Sequence, residues 1–279
     1  VCSSDLFYGE DFQGADVAPF VGINTFLHLP WVKNHKELLE AKPDVAIIGE
    51  PFDFGTTIRP GARYGPRAIR AASTIPSPPF ERFNIETGAD PFGTFRTVDY
   101  GDVVVSPGDV IGSHKSMTLK VKEVLEADGI PVMLGGDHSI TYANVRAFQK
   151  KFKNIGMIHF DTHADCAPQG LTGFKYDHGA HIRRIMEMGC LKGKNYSLVG
   201  PRGYWPGRDL YKWMSDQDFQ WFTMLDVEEL GIDYIAKEIA DRANDGTDAV
   251  FTADLQDGTY NWAYTPGSWA DENSWYVEA

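Results

Sequence analysis

The stretch IGMIHFDTHAD, residues 155–165, decides how this chain is read. Its first half is an apolar run without polar alternation, the pattern of a strand buried on both faces. Its second half sets Asp161, His163 and Asp165 at every second position. Alternate residues of a strand share one face, so the three side chains would point the same way. A straight strand would still hold Asp161 and Asp165 roughly 13 Å apart, too far for one metal cluster. The chain must therefore bend near His163, and Pro168 and Gly170 soon afterwards fit its departure from the sheet. Burying two carboxylates without a cation costs several kcal/mol each. The pattern therefore points to metal ligands rather than to an exposed polar loop. His159 falls on the same face by parity, and a hydrogen-bonded core or supporting histidine is its expected role.

Working outward, further short apolar runs read as strands: VAIIG (45–49), PVMLGG (131–136), YSLVG (196–200) and AVFTAD (249–254). Helical patterns lie between them, among them residues 114–127 and 140–151. Buried strands alternating with helices predict an α/β fold with a mostly parallel central sheet covered on both faces. Crossovers should be right-handed. The Pro- and Phe-rich segment 73–99 reads as a surface loop or excursion. Ligands of such sheets bind beyond the carboxyl ends of the strands, so the residues just after each strand are the ones to inspect.

Two more strand ends carry chemistry. In GGDHS (135–139) the glycines allow a sharp turn and close backbone approach, placing Asp137 and His138 at a site mouth. A lone histidine there would more often be a structural hydrogen bonder. In AVFTADLQD, Asp254 ends the strand, Gln256 shares its face, and Asp257 faces away unless a bulge intervenes. Taken together, His138, Asp161, His163, Asp165 and Asp254 exceed one tetrahedral site. Mixed carboxylate and imidazole donors without thiolate suit Mn²⁺, Ni²⁺, Zn²⁺ or Fe²⁺. Five such ligands suggest two ions about 3.5–4 Å apart, which would lower the pKa of a shared water towards neutral.

Composition narrows the classes. The 279 residues suffice for one large α/β domain, and the net charge is −13. No Lys/Arg stripe is present to displace counterions from phosphates, so nucleic acid is not an expected partner. An acidic surface is compatible with a small cationic substrate, although it also serves solubility alone. No apolar run reaches the roughly 18 residues of a membrane span, so no membrane partner is expected. No secretory signal is visible. Cys2, Cys166 and Cys190 are odd in number and lack metal spacing, which fits a reducing cytoplasm. The opening VCSSDL (1–6) reads as an appended segment and residues 7–279 as a single domain. The chain stops soon after 249–254, where another helix is expected, so a shortened C-terminus is anticipated.

These motifs resemble the ureohydrolase family, which includes arginase, agmatinase and guanidinobutyrase. GGDHS and the Asp-x-His-x-Asp run match two of its three metal motifs, and the resemblance runs from about Val45 to Asp254. GEPFDFGTTIRPGARYGPRAIR (49–70), VDYGDV (98–103) and YDHGAHIRRI (176–185) look like the agmatinase branch. The resemblance implies a three-layer α/β/α fold, a dinuclear site that usually holds manganese, and a homo-trimer or hexamer. It implies that His138, Asp161, Asp165 and Asp254 hold one ion and that Asp161, His163 and Asp254 hold the other. His178 matches the family histidine that moves protons, and the implied substrate is a small cationic guanidino compound, agmatine-like, cleaved to urea and an amine. The glycine-rich loop around Gly55 and Arg63 is expected to pack near the site mouth.

The third motif departs from the family pattern. Asp-x-Asp is expected, but the chain reads ADLQDGTYNWAYTPGSW (253–269), with Gln256 in place of the second aspartate. The later guanidinium-binding glutamate is not recognisable, and Glu272 and Glu278 are candidates only by composition. Two other readings therefore stand beside catalysis: a degenerate subunit binding one ion or none, and a hydrolase of a related formimino or guanidine substrate.

Overall fold

A computed structural model describes residues 21–74, 83–86, 88–204 and 206–254. Among them run seven strands: β1 (Val45–Gly49), β2 (Thr97–Asp102), β3 (Ile130–Leu134), β4 (Ile155–Phe160), β5 (Leu191–Val199), β6 (Gln220–Phe222) and β7 (Ala249–Asp254). They form two ladders, ordered β2-β1-β3 and β6-β5-β4-β7. Every strand pair in them is parallel. Parallel neighbours require crossovers, and helices fill them, giving the expected three-layer α/β/α architecture. No helix among the described residues is long and apolar enough to cross a membrane.

Each sheet buries its own apolar cluster. The first gathers Ile48, Phe52, Met117, Val121 and Ile140, and the second Met157, Ile182, Tyr196, Leu198 and Phe251. The helix Ile140–Lys151 joins them. Its Ala143 and Ala147 belong to the first cluster and Val145 to the second, while Phe148 and Phe152 pack against both. Its register explains this. Residues four apart lie on one face of a helix, and Val145 lies round the cylinder from them.

Three readings of the sequence need correction. Segment 73–99 is not simply a loop. Its described part holds the short helix Pro91–Thr94 and the start of β2. Strands β2 and β6 carry no long apolar run, and the pattern did not announce them. The bend after β4 also comes earlier than expected. The strand ends at Phe160, so Asp161, His163 and Asp165 do not share a strand face. The chain turns on Asp165, whose φ is +43°, a left-handed conformation that aspartate tolerates better than most side chains.

Candidate metal centre

Two backbone arrangements bring the acidic strand ends together. Asp161 follows β4, and its N–H still donates to Val199 O at 3.0 Å. Beyond β3, the GGDHS turn passes very close to the chain after β1. A Cβ on Gly136 would lie 2.5 Å from Phe52 O and 2.6 Å from Glu50 O, so only glycine fits. Asp137, expected at the mouth, is instead fully buried. It accepts from Gly55 N at 2.7 Å and from Ser139 N at 2.8 Å, clamping the loop after β1 to the turn that carries His138. Burial pushes the Asp137 carboxyl up to about 6, against the pull of those hydrogen bonds.

His138 is completely buried, and its Nδ1 lies 2.9 Å from Asp161 Oδ2 and 3.1 Å from Asp165 Oδ2. Three sequence-expected residues thus converge. His163 reaches the same carboxylate from the other side, its Nδ1 3.5 Å from Asp161 Oδ1, and its backbone N–H donates to that oxygen at 2.7 Å. Asp254 is the register partner of Phe160 in the β4–β7 ladder, which puts it at the carboxyl end of the neighbouring strand. Gln256, Asp257, Glu272 and Glu278 lie outside the described residues, as do residues 1–6.

His159 behaves as the parity argument expected. It is buried, with Nδ1 2.7 Å from the Tyr196 hydroxyl and Nε2 3.3 Å from Asp161 Oδ2. His178 stands to one side. Its Nε2 is 3.0 Å from Thr57 Oγ1, and its backbone N–H donates to Gly55 O at 3.1 Å. Arg63 ion-pairs with Asp53 on that glycine-rich loop and packs over Phe54, the structural role expected for the segment.

The residue that the sequence reading passed over is His181. It sits three positions after His178, and that His-x-x-His spacing was the available signal. It is 1% exposed, and its ring centroid lies 4.1 Å from that of His138. Ligand-capable atoms of His138, His159, Asp165 and His181 all lie within 4.8 Å of one another.

The electrostatics of the cluster are those of an anionic pocket. Burial pushes the Asp161 carboxyl up, but His138, His159 and His163 outweigh it and hold it well below the usual range. Burial and the neighbouring Asp161 raise Asp165. Burial alone would lower His138, yet Asp161 and Asp165 drive it up to about 10. Burial, then His138 and His159, hold His181 well down, so it stays neutral. Two buried carboxylates beside buried imidazoles fit a divalent first-row ion by donor chemistry, the ion taking the place of the proton that the carboxylates hold on His138.

Comparison with known proteins identifies the family. The sequence profile of the arginase family matches residues 43–260. Guanidinobutyrase of Pseudomonas aeruginosa is 31% identical over 233 residues, covering 84% of this chain and 71% of that protein. The mitochondrial agmatinase of Gallus gallus is 37% identical over 204 residues, 73% of this chain, and the match spans just 57% of its own length. The solved proclavaminate amidinohydrolase of Streptomyces clavuligerus superposes with a TM-score of 0.71 at 27% identity, covering 85% of this chain and 74% of that one. Sequence profile, relatives and fold agree that this chain belongs to the arginase family.

Proposed function

We propose that the chain hydrolyses a small cationic guanidino compound, agmatine-like, to urea and an amine. The observation that carries the reading is the buried convergence of His138, Asp161 and Asp165 at the carboxyl end of β4 in an arginase-family chain. His138, Asp161, Asp165 and Asp254 would hold one divalent ion, and Asp161, His163 and Asp254 the other. Mn²⁺ is the first candidate, with Ni²⁺ or another first-row ion also accepted by this donor set. Such ions, when bound, supply Lewis-acid charge and bring water within reach of ionisation near neutral pH.

The chain's own residues do the rest. Water adds to the guanidinium carbon, and its oxygen becomes the urea carbonyl as the bond to the substituted nitrogen breaks. The departing amine needs a proton, which a histidine is suited to deliver near neutral pH. We assign that role to His178. Its position is set by Thr57 and by the Gly55 carbonyl, and Gly55 is itself tied to Asp137. The proton donor and His138 therefore hang from one clamped pair of loops. A homo-trimer or hexamer in the cytoplasm completes the proposal.

The test is urea release by purified protein loaded with Mn²⁺ or Ni²⁺, with agmatine, guanidinobutyrate, guanidinopropionate and guanidine as substrates. Urea from one of these, with two ions per chain, supports the assignment. Turnover of a formimino substrate alone would move the activity to that class. No product, with one ion or none, would overturn catalysis by this chain and favour a supporting subunit.

A further inference from the structure

We propose that His181 is an additional imidazole ligand on the His138–Asp165 side of the cluster, making that position nitrogen-rich and tilting it from Mn²⁺ towards Ni²⁺ or another imidazole-seeking ion. The proposal rests on the metal-centre reading above and goes beyond the five ligands that reading names.

Three observations meet at this side chain. First, its tautomer is set. Nδ1 lies 2.7 Å from His178 O, and a carbonyl only accepts, so Nδ1 carries the proton and Nε2 is left with a lone pair. Second, Nε2 is buried and has no hydrogen-bond partner among the described residues. A buried acceptor in that state is what a cation would satisfy. Third, the ring is already in place, against His138, with Nδ1 3.7 Å from Asp165 Oδ2, and it belongs to the 4.8 Å donor group that also holds His159 and Asp165. His159 differs, because both its ring nitrogens have partners, Tyr196 and Asp161. Unlike His159, His181 keeps a nitrogen to spare, as does the proposed ligand His138 at Nε2. The Nδ1–H to carbonyl bond is also the usual way of orienting a ligating histidine.

An imidazole added to a carboxylate-rich set favours ions that take nitrogen donors well, Ni²⁺, Zn²⁺ or Fe²⁺, over Mn²⁺. The change in selectivity on removing His181 is therefore the diagnostic, not activity. Ni²⁺ and Mn²⁺ affinities would be measured by competition for wild type, His181→Asn and His181→Phe, alongside visible absorption of the Co²⁺-loaded proteins. We expect Ni²⁺ affinity to fall by at least about tenfold and Mn²⁺ affinity by much less, with shifted Co²⁺ bands. X-ray absorption on Ni²⁺-loaded wild type gives a reading that needs no variant. Three imidazoles over two ions support the proposal, and two overturn it. Equal changes for Ni²⁺ and Mn²⁺ in the variants, with unshifted bands, would also overturn it and leave His181 as a stacked ring. A wild-type protein that binds no ion would instead sink the metal-centre reading itself.

Discussion

Asp161 receives more of the site than any other side chain: His138 and His159 at one oxygen, His163 at the other. On the proposed ligand assignment, Asp161→Asn removes one of the carboxylates offered to both ions and places an amide where only acceptors are wanted. We expect loss of at least about 100-fold in metal affinity, read by metal content after dialysis, with the fold retained. Away from the cluster, Glu50 is wholly buried and accepts from Asn144 Nδ2 at 2.9 Å. Burial raises its carboxyl from 4.5 to about 8, against the pull of Asn144. The native state thus keeps a proton that the unfolded chain releases. The contribution of Glu50 to stability should be greatest below pH 4.5, decline as pH rises to about 8, and level off above. The total is on the order of a few kcal/mol. Glu50→Gln should remove that decline, and chemical denaturation between pH 5 and pH 9 would show it; parallel pH profiles for the two proteins would sink the idea. At this scale the sequence was readable where chemistry is dense. The motifs GGDHS and DTHAD contain His138, Asp161, His163 and Asp165, the side chains that converge. His181 was flagged only by its His-x-x-His spacing from His178; its approach to His138 depends on how the chain after β4 folds back on the turn after β3, which that spacing does not encode.

Elements were legible in proportion to their length and apolar content. The helix Ile140–Lys151 and strands β1 and β7 match their sequence readings in both ends. Strand β5 begins five residues earlier than read, because LKGKN (191–195) looks polar. Strand β2 was hidden by Asp99, a charge in mid-strand. The structure buries it against Arg70, with Nε–Oδ2 and Nη2–Oδ1 distances of 2.7 and 2.9 Å, and Arg70 also reaches Asp102. A paired charge can occupy a strand that hydropathy alone would reject. The turn after β3 gives the prediction at this scale. With Gly136 pressed on two carbonyls, Gly136→Ala must displace either the GGDHS turn or the segment after β1. We expect destabilisation of about 1–3 kcal/mol together with weaker metal binding, measured by denaturant titration and metal content. An alanine variant with unchanged midpoint would show that the turn has slack.

For the molecule as a whole, periodicity was enough to place it among parallel α/β folds. The alternation of buried strands and helices leaves few other ways to cover both faces of a sheet. The order of strands was not accessible, because register between distant strands depends on tertiary packing. The net charge of −13 acts at this scale too. An anionic surface raises the local concentration of a cation and does so less in salt. For a cationic guanidino substrate, kcat/KM should fall by about threefold between low and 0.5 M ionic strength, while a zwitterionic guanidino acid should respond less. Identical salt profiles would rule out steering by the surface.

The helix Ile140–Lys151 begins two residues after His138 and leans on both apolar clusters. It is therefore a seam, and His138, the proposed ligand, is stitched to its first turn. Opening the site by unwinding that turn would unzip the contact between the two halves of the core, so local and global unfolding should merge there. Amide hydrogens of the helix would then exchange with solvent as slowly as the most protected strands. Bound ion, by mass action, would slow both together. A helix that exchanges early while β4 stays protected would show that the halves hold together by other means.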